Sequence, residues 1–272
     1  MPTFNTNIAA LGVQHALTDH SQGLGKAMAE LSSGLRVNSA ADDAASLAIG
    51  QQMSARILSL NQAVRNANDG ISMVQTADGA TQVMVNMLGR MRELAVQASS
   101  DTYGDEDRLA LDTEFGELKS AMTTIIQDTQ WNGKKLLDST AASATYQVGA
   151  SGVVSDGVTV SFSDFSSLTV LSASGLTNRA NAYTAMGNVE SDLATVNSRR
   201  ASWGAAMNRL SHAADSSANV SMNLSSSKSQ LLDADYAKAT ADLARAQIMQ
   251  AAGTAMLSQA NQQGVMVLHL LS

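Results

Sequence analysis

Residues 51–74 read QQMSARILSLNQAVRNANDGISMV. Met53, Ile57, Leu60, Val64, Ala67, Ile71 and Val74 fall at alternating steps of four and three, which keeps one apolar seam on a helix of about 3.6 residues per turn. The pattern predicts a coiled-coil helix. Polar positions follow, and the stripe resumes through Met84, Leu88, Met91 and Ala95. Upstream, Asn38 and Ser39 offer N-cap oxygens, and Asp42 sits where its carboxylate meets free backbone N–H groups and the positive helix end. From Ser39 to Ser99 such a helix would run roughly 90 Å at about 1.5 Å per residue. That exceeds the core of a compact domain, so an elongated molecule is expected.

The same count extends outward. Leu24, Met28, Leu31 and Leu35 form one helical face, interrupted at Ser32-Ser33-Gly34. After the polar turn Ser99–Asp107, the residues Leu111, Phe115, Leu118, Met122 and Ile125 repeat the spacing and predict a returning antiparallel helix. Met186, Val189, Leu193, Val196, Trp203, Met207, Leu210 and Ala214 supply a third helix, with Arg200 at one seam position. A single proline, Pro2, leaves nothing to interrupt these helices. Between them lies a Ser/Thr/Val/Gly-rich insert in which Val158, Val160 and Phe162 alternate. Asp156-Gly157 there is a two-residue hairpin signal joining Val153-Val154 to Val158. The expected fold is mainly α: a long antiparallel coiled-coil rod, terminal helices that pair in an assembly, and a small β-hairpin insert. Its expected parts are residues 1–38 with 231–272, a rod of 39–137 with 178–230, and an insert of 138–177.

The two ends carry the most telling composition. Residues 1–18 hold no Asp, Glu, Lys or Arg, and none occurs after Arg245. Solvated helices normally carry charge on their wet face, so two uncharged helical ends imply burial against protein or a confined channel. Ile8, Leu11, Ile248, Met256, Leu257, Val267, Leu268 and Leu271 supply apolar positions, joined by Leu24, Met28 and Leu31 from the first helix. Alone, such a pair buries too little to offset its ordering entropy, and folding on assembly is expected.

Chemical constellations were sought across the chain. A net charge of −7 without a basic stripe argues against a nucleic-acid partner. Zero cysteines exclude disulfides, thiolate metal sites and a Cys nucleophile. His15 and His20 stand five apart rather than four, which is poor metal-ligand spacing on a helix. Asn132-Gly-Lys-Lys135 lacks the first glycine of a phosphate loop and reads as a turn. The sequons at Asn219 and Asn223 lie in a helical stripe and read as coincidence. Asp42 and Asp43 read as caps rather than a catalytic pair, with Arg36 near them. No catalytic residue, metal or cofactor is expected, nor a membrane span or a cleaved secretion signal.

Leu31-Ser-Ser-Gly-Leu-Arg-Val-Asn-Ser-Ala-Ala-Asp-Asp-Ala-Ala-Ser-Leu-Ala-Ile49 resembles the N-terminal motif of bacterial flagellins. The segment from Asp233-Ala-Asp-Tyr-Ala to Gln259-Ala-Asn261 is similar to their C-terminal one, and Leu88–Gln97 and Trp131–Leu137 also resemble flagellin segments. The resemblance implies a subunit of a hollow helical filament that converts motor torque to thrust, with the terminal helices as its inner tube. It implies an inter-domain spoke at Gly34, Arg36, Asn38, Asp42 and Asp43. It further implies type III export with a flagellar export chaperone, addition under a filament cap, and junction to hook proteins. An innate-immune patch for a host Toll-like receptor maps onto Arg90, Glu93, Leu94, Gln97 and Glu114, where filament packing alone is the weightier reading. One departure is Gly264–Ser272, which lacks the proline and terminal basic residue frequent in the family. The competing readings are a hook–filament junction protein and a cytosolic coiled-coil signalling protein. Neither the close motifs nor the uncharged ends favour the latter.

Overall fold

The structure is a computed structural model, and it describes residues 6–140, 143–150 and 156–269, with side chains to Gln262. It divides into two compact units, residues 56–222 and residues 1–55 with 223–272.

α2 (Ala40–Ala98) and α5 (Arg179–Leu232) are long helices that give most of their length to the larger unit, where α3 (Asp105–Asp128) returns along α2. The seam is continuous where the sequence pattern lapsed: Ala77 and Thr81, between Val74 and Met84, are wholly buried. They read as polar filler only because small side chains carry little hydropathy. Met84, Leu88 and Met91 of α2 share the core with Phe115, Met122 and Ile126 of α3 and with Val189, Val196, Trp203 and Leu210 of α5. Arg200, the charge in the α5 seam, donates to Asp78 of α2 at 2.7 Å, so the ion pair lies at the seam's edge. At the α2–α3 turn the buried Arg108 guanidinium donates to Ala98 O and Ser100 O, both at 3.0 Å. It thereby satisfies carbonyls that a helix end leaves free.

The β elements correct one expectation. Gly157 does not turn a hairpin; it opens strand β4 (Gly157–Val160), which pairs antiparallel with β3 (Ala144–Gln147). Val153 and Val154 lie outside the described residues. The two-residue turn is instead Asn132-Gly133, both at positive φ, between β1 (Gln130–Trp131) and β2 (Lys134–Lys135). Asn-Gly is the pair that such a turn favours, so the signal was present in the sequence. Trp203 anchors the insert: its indole N–H donates to Ser161 O at 3.0 Å, and its ring packs 6.1 Å from both Phe162 and Phe165. Asp192 of α5, also buried, accepts from Thr169 N and Val170 N and so caps α4 (Thr169–Ser172). At Gly70 a Cβ would sit 3.0 Å from the Tyr146 ring, which explains a glycine inside α2.

In the smaller unit, α1 (Ile8–Ser33) and α6 (Tyr236–His269) pack antiparallel. Asn7 caps α1, its Oδ1 accepting from Ala10 N, and its amide donates across to Ala260 O at 2.9 Å. The covered line of α1 is Ala10, Val13, Leu17, His20, Leu24, Ala27 and Leu31; that of α6 is Ala239, Leu243, Ala246, Gln250, Gly253, Leu257 and Ala260. Both lines count four and three. The stripe read from large side chains was therefore off: Met28 is exposed. Leu35 lies beyond the helix, in a β-bridge with Asp233. Small residues interleave with leucines along the contact line and let the two backbones approach, as where Gly253 meets Leu17.

Candidate functional site

The crossing between the chain's two arms is built from backbone. Gly34 ends α1 in the left-handed region at φ 71°, its N–H bonding Glu30 O, which only glycine does without strain. Arg36 N then donates to Leu232 O at 2.7 Å, Ala234 N to Gly34 O at 2.9 Å, and the Arg36 guanidinium to Leu231 O. Val37 and Leu232 are buried here, and Gly50 lies so close that a Cβ would collide with Leu232 Cδ1.

Two adjacent carboxylates shape the entry to α2. Asp42 accepts from Ser39 Oγ and Ser39 N at 2.9 Å and from Asn38 N at 3.3 Å, with Lys26 at 3.9 Å. Asp43 has non-helical backbone, φ −164° and ψ 98°, and accepts from Ser46 N and Ser46 Oγ, so it is a second N-cap. The Ser39 hydroxyl holds the Asp42 carboxyl below its ordinary range, and the Ser46 hydroxyl does the same for Asp43. Arg36 reaches Asp43 only through its charge. The five residues of the expected spoke, Gly34, Arg36, Asn38, Asp42 and Asp43, thus fall within one fastened turn. Ser46, Gly50 and Leu232 belong with it and escaped the sequence reading.

The paired helices carry two grooves. The first, about 600 Å³, is lined by four acids and four bases: Asp19, Glu30, Asp235 and Asp242 against Lys26, Arg36, Lys238 and Arg245. The second, about 270 Å³, is lined by Gly12, Val13, Ala16, Leu17, His20, Met249, Ala252, Gly253 and Met256, with no fixed charge. Before Asp19 in α1 and after Arg245 in α6 the pair has no fixed charge. Four large apolar side chains stand outside the contact: Ile8 is 66% exposed, Leu11 55%, Ile248 68% and Met256 60%. Leu24, Leu31 and Leu257 are half-buried in the pair. The side chains of Val267 and Leu268, and all of Leu271, lie outside what is described.

On the larger unit, Arg90 donates to Glu114 at 2.8 Å and to Glu93 at 2.9 Å. Glu114, then Glu93, raises the Arg90 pKa, and Arg90 lowers that of Glu114. Gln97 donates to Tyr103 OH. Leu94 does not join this surface: it is 0% exposed, three residues after Met91 on the core side of the seam. A surface role for Leu94 is corrected on that ground. Among the described residues no group of His, Asp and Glu is arranged to hold a metal, and no helix is long and apolar enough to cross a membrane.

Comparisons with known proteins agree with this geometry. Residues 4–142 match the bacterial flagellin N-terminal helical region and residues 186–271 the bacterial flagellin C-terminal helical region. A flagellin of Halalkalibacterium halodurans is 41% identical over 98% of both chains. The flagellar filament 33 kDa core protein of Treponema phagedenis is 33% identical over 98% of this chain and 99% of its own. Among solved structures, Bacillus cereus flagellin aligns with 56% of this chain and 88% of its own, at a TM-score of 0.52 and 32% identity. The chain therefore belongs to the bacterial flagellins, the structural, non-enzymatic subunits that self-assemble into the flagellar filament.

Proposed function

We propose that this flagellin polymerises through the uncharged part of the α1/α6 pair, which forms the inner tube of the filament. The observation that carries the reading is the exposure of Ile8, Leu11, Ile248 and Met256 on the helix segments without a fixed charge, before Asp19 in α1 and after Arg245 in α6. Each such side chain gains roughly 1.5–3 kcal/mol on full burial, a gain that recurs at every subunit. The absence of charge removes the desolvation cost that would oppose it. Val267, Leu268 and Leu271 extend the same set. The parts are then residues 1–38 with 231–272 for the tube, 39–137 with 178–230 for the rod, and 138–177 for the insert, with the 34–43 turn as the spoke.

The route to the filament follows from the resemblance: export through the flagellar type III apparatus without a cleaved signal, a chaperone on the C-terminal arm, a cap at the growing end, and a place outside the cell. Arg90, Glu93, Gln97 and Glu114 are the residues offered to a neighbouring subunit, and the same patch would meet a host Toll-like receptor.

Placing Glu at Leu11 or Ile248 tests the reading. Both positions are exposed in the single chain, so circular dichroism of the subunit should not change, while seeded filaments should be lost from electron micrographs. Filaments of normal length from Ile248→Glu would overturn the proposal.

A further inference from the structure

Four methionines are exposed among the described residues, Met28, Met222, Met249 and Met256, whereas Met73, Met84, Met91 and Met122 are buried. Met249 and Met256 differ from the other exposed pair. They lie seven residues apart, two turns on one face of α6, and both line the apolar groove with Val13 and Leu17. Both stand beyond Arg245, where the helix has no fixed charge. Of the large exposed side chains there, Ile8, Leu11 and Ile248 are chemically inert, and a thioether is not.

We propose that Met249 and Met256 are an oxidation site through which a hydroperoxide blocks addition of the free subunit to the filament. The inference rests on the packing reading above. A sulfur lone pair attacks the distal oxygen of the peroxide, the S–O bond forms and the O–O bond breaks. Sulfur loses two electrons and the peroxide gains them; the proton of the transferred hydroxyl passes to the departing oxygen, giving water from hydrogen peroxide. The product sulfoxide is a strong acceptor on a flexible side chain. In the free subunit water satisfies it. Packed against the apolar side chains of a neighbour it would be buried without a donor, which disfavours docking. Filament packing covers both sulfurs, so the device acts on subunits awaiting addition and spares those already placed. Met222, exposed to 64% on α5, reacts as readily and serves as the internal control.

The experiment treats the full-length subunit with hydrogen peroxide, maps sulfoxide at each methionine by peptide mass spectrometry, and then seeds polymerisation. Oxidation at Met249 and Met256 should raise the critical concentration about tenfold or more, and methionine sulfoxide reductases should reverse it. A Met249→Leu, Met256→Leu chain keeps volume and apolarity, and should polymerise equally before and after treatment even though Met222 is oxidised. In preformed filaments the two sulfurs should react about tenfold more slowly than in subunits. If the oxidised natural chain polymerises like the untreated one, or the double variant is inhibited as strongly, the inference falls. In either case the packing reading survives provided the filament still shelters the two sulfurs. Equal reactivity in filament and subunit would end both.

Discussion

In residues 56–222 the largest side chains are the best hidden: Trp203, Phe115, Phe165, Met84 and Leu88 have almost no exposed surface. In the unit of residues 1–55 and 223–272 the order is reversed. There the buried residues are Ala27, Val37, Ser46, Gly50, Leu232, Ala239 and Ala260, while Ile8, Ile248 and Met256 face outward. The first unit completes its core within one chain. The second is finished only around its crossing: along the helix pair the leucines of the contact line are no more than half-buried, and further large side chains face outward. Apolar content alone does not separate the two; what separates them is how completely the bulky residues are covered within the chain.

Four changes would break or sharpen that contrast, taken from the largest effect downward. Trp203→Ala removes a ring packed on Phe162 and Phe165 and the hydrogen bond to Ser161. It should cost about 3–5 kcal/mol of stability in urea unfolding followed by circular dichroism. A loss under about 1 kcal/mol would show that the larger unit is not as self-sufficient as its burial suggests. Gly50→Ala presses a methyl onto Leu232 at the crossing and should destabilise that local structure by about 1–3 kcal/mol. Hydrogen exchange at the Arg36 and Ala234 amides reads it; unchanged protection would mean that Leu232 moves aside freely.

Acid gives a smaller and local effect. Asp42 and Asp43 have folded-state pKa values below the usual carboxylate range, so their contribution is present above about pH 4 and is lost as pH falls through the depressed folded values. The protection of the Ser39 and Ser46 amides, relative to the unfolded chain at the same pH, should therefore fall as the pH drops below the ordinary carboxylate range, and Asp43→Asn should keep part of the Ser46 protection through its amide oxygen. Protection independent of pH would contradict the capping roles. The smallest change is Glu114→Gln. Its bond to Arg90 is exposed on both sides, and the unfolding midpoint should stay where it is. Any effect of that substitution is expected in subunit packing instead.

Much of the architecture was readable because the 4-3 count survives wherever large apolar residues occupy the seam, as in Phe115 to Ile125 and Met186 to Ala214. It faltered where small residues do the packing. Ala77 and Thr81 carry the seam of α2 with little hydropathy, and in α1 the covered positions Ala10, Val13 and Ala27 are less conspicuous than the exposed Met28. The insert is a small β-hairpin as expected, but which strand pairs with Val158–Val160 is hidden for another reason. Ala144–Gln147 looks polar, yet it pairs with β4 through backbone and a Thr145–Thr159 hydroxyl contact that no hydropathy pattern records. The uncharged ends were plain in composition. That Asp43 would break the helix beside Asp42 was not, since two adjacent aspartates say nothing about which one caps.

The hydrogen bond from Asn7 to Ala260 spans 253 positions of sequence. An interface made of two such distant segments exists only in a molecule that retains both, so a chain cut or terminated anywhere between them is left with half a surface. On the packing proposed above, topology itself would check the completeness of the polypeptide, because a truncated copy would lack the surface that a neighbour needs.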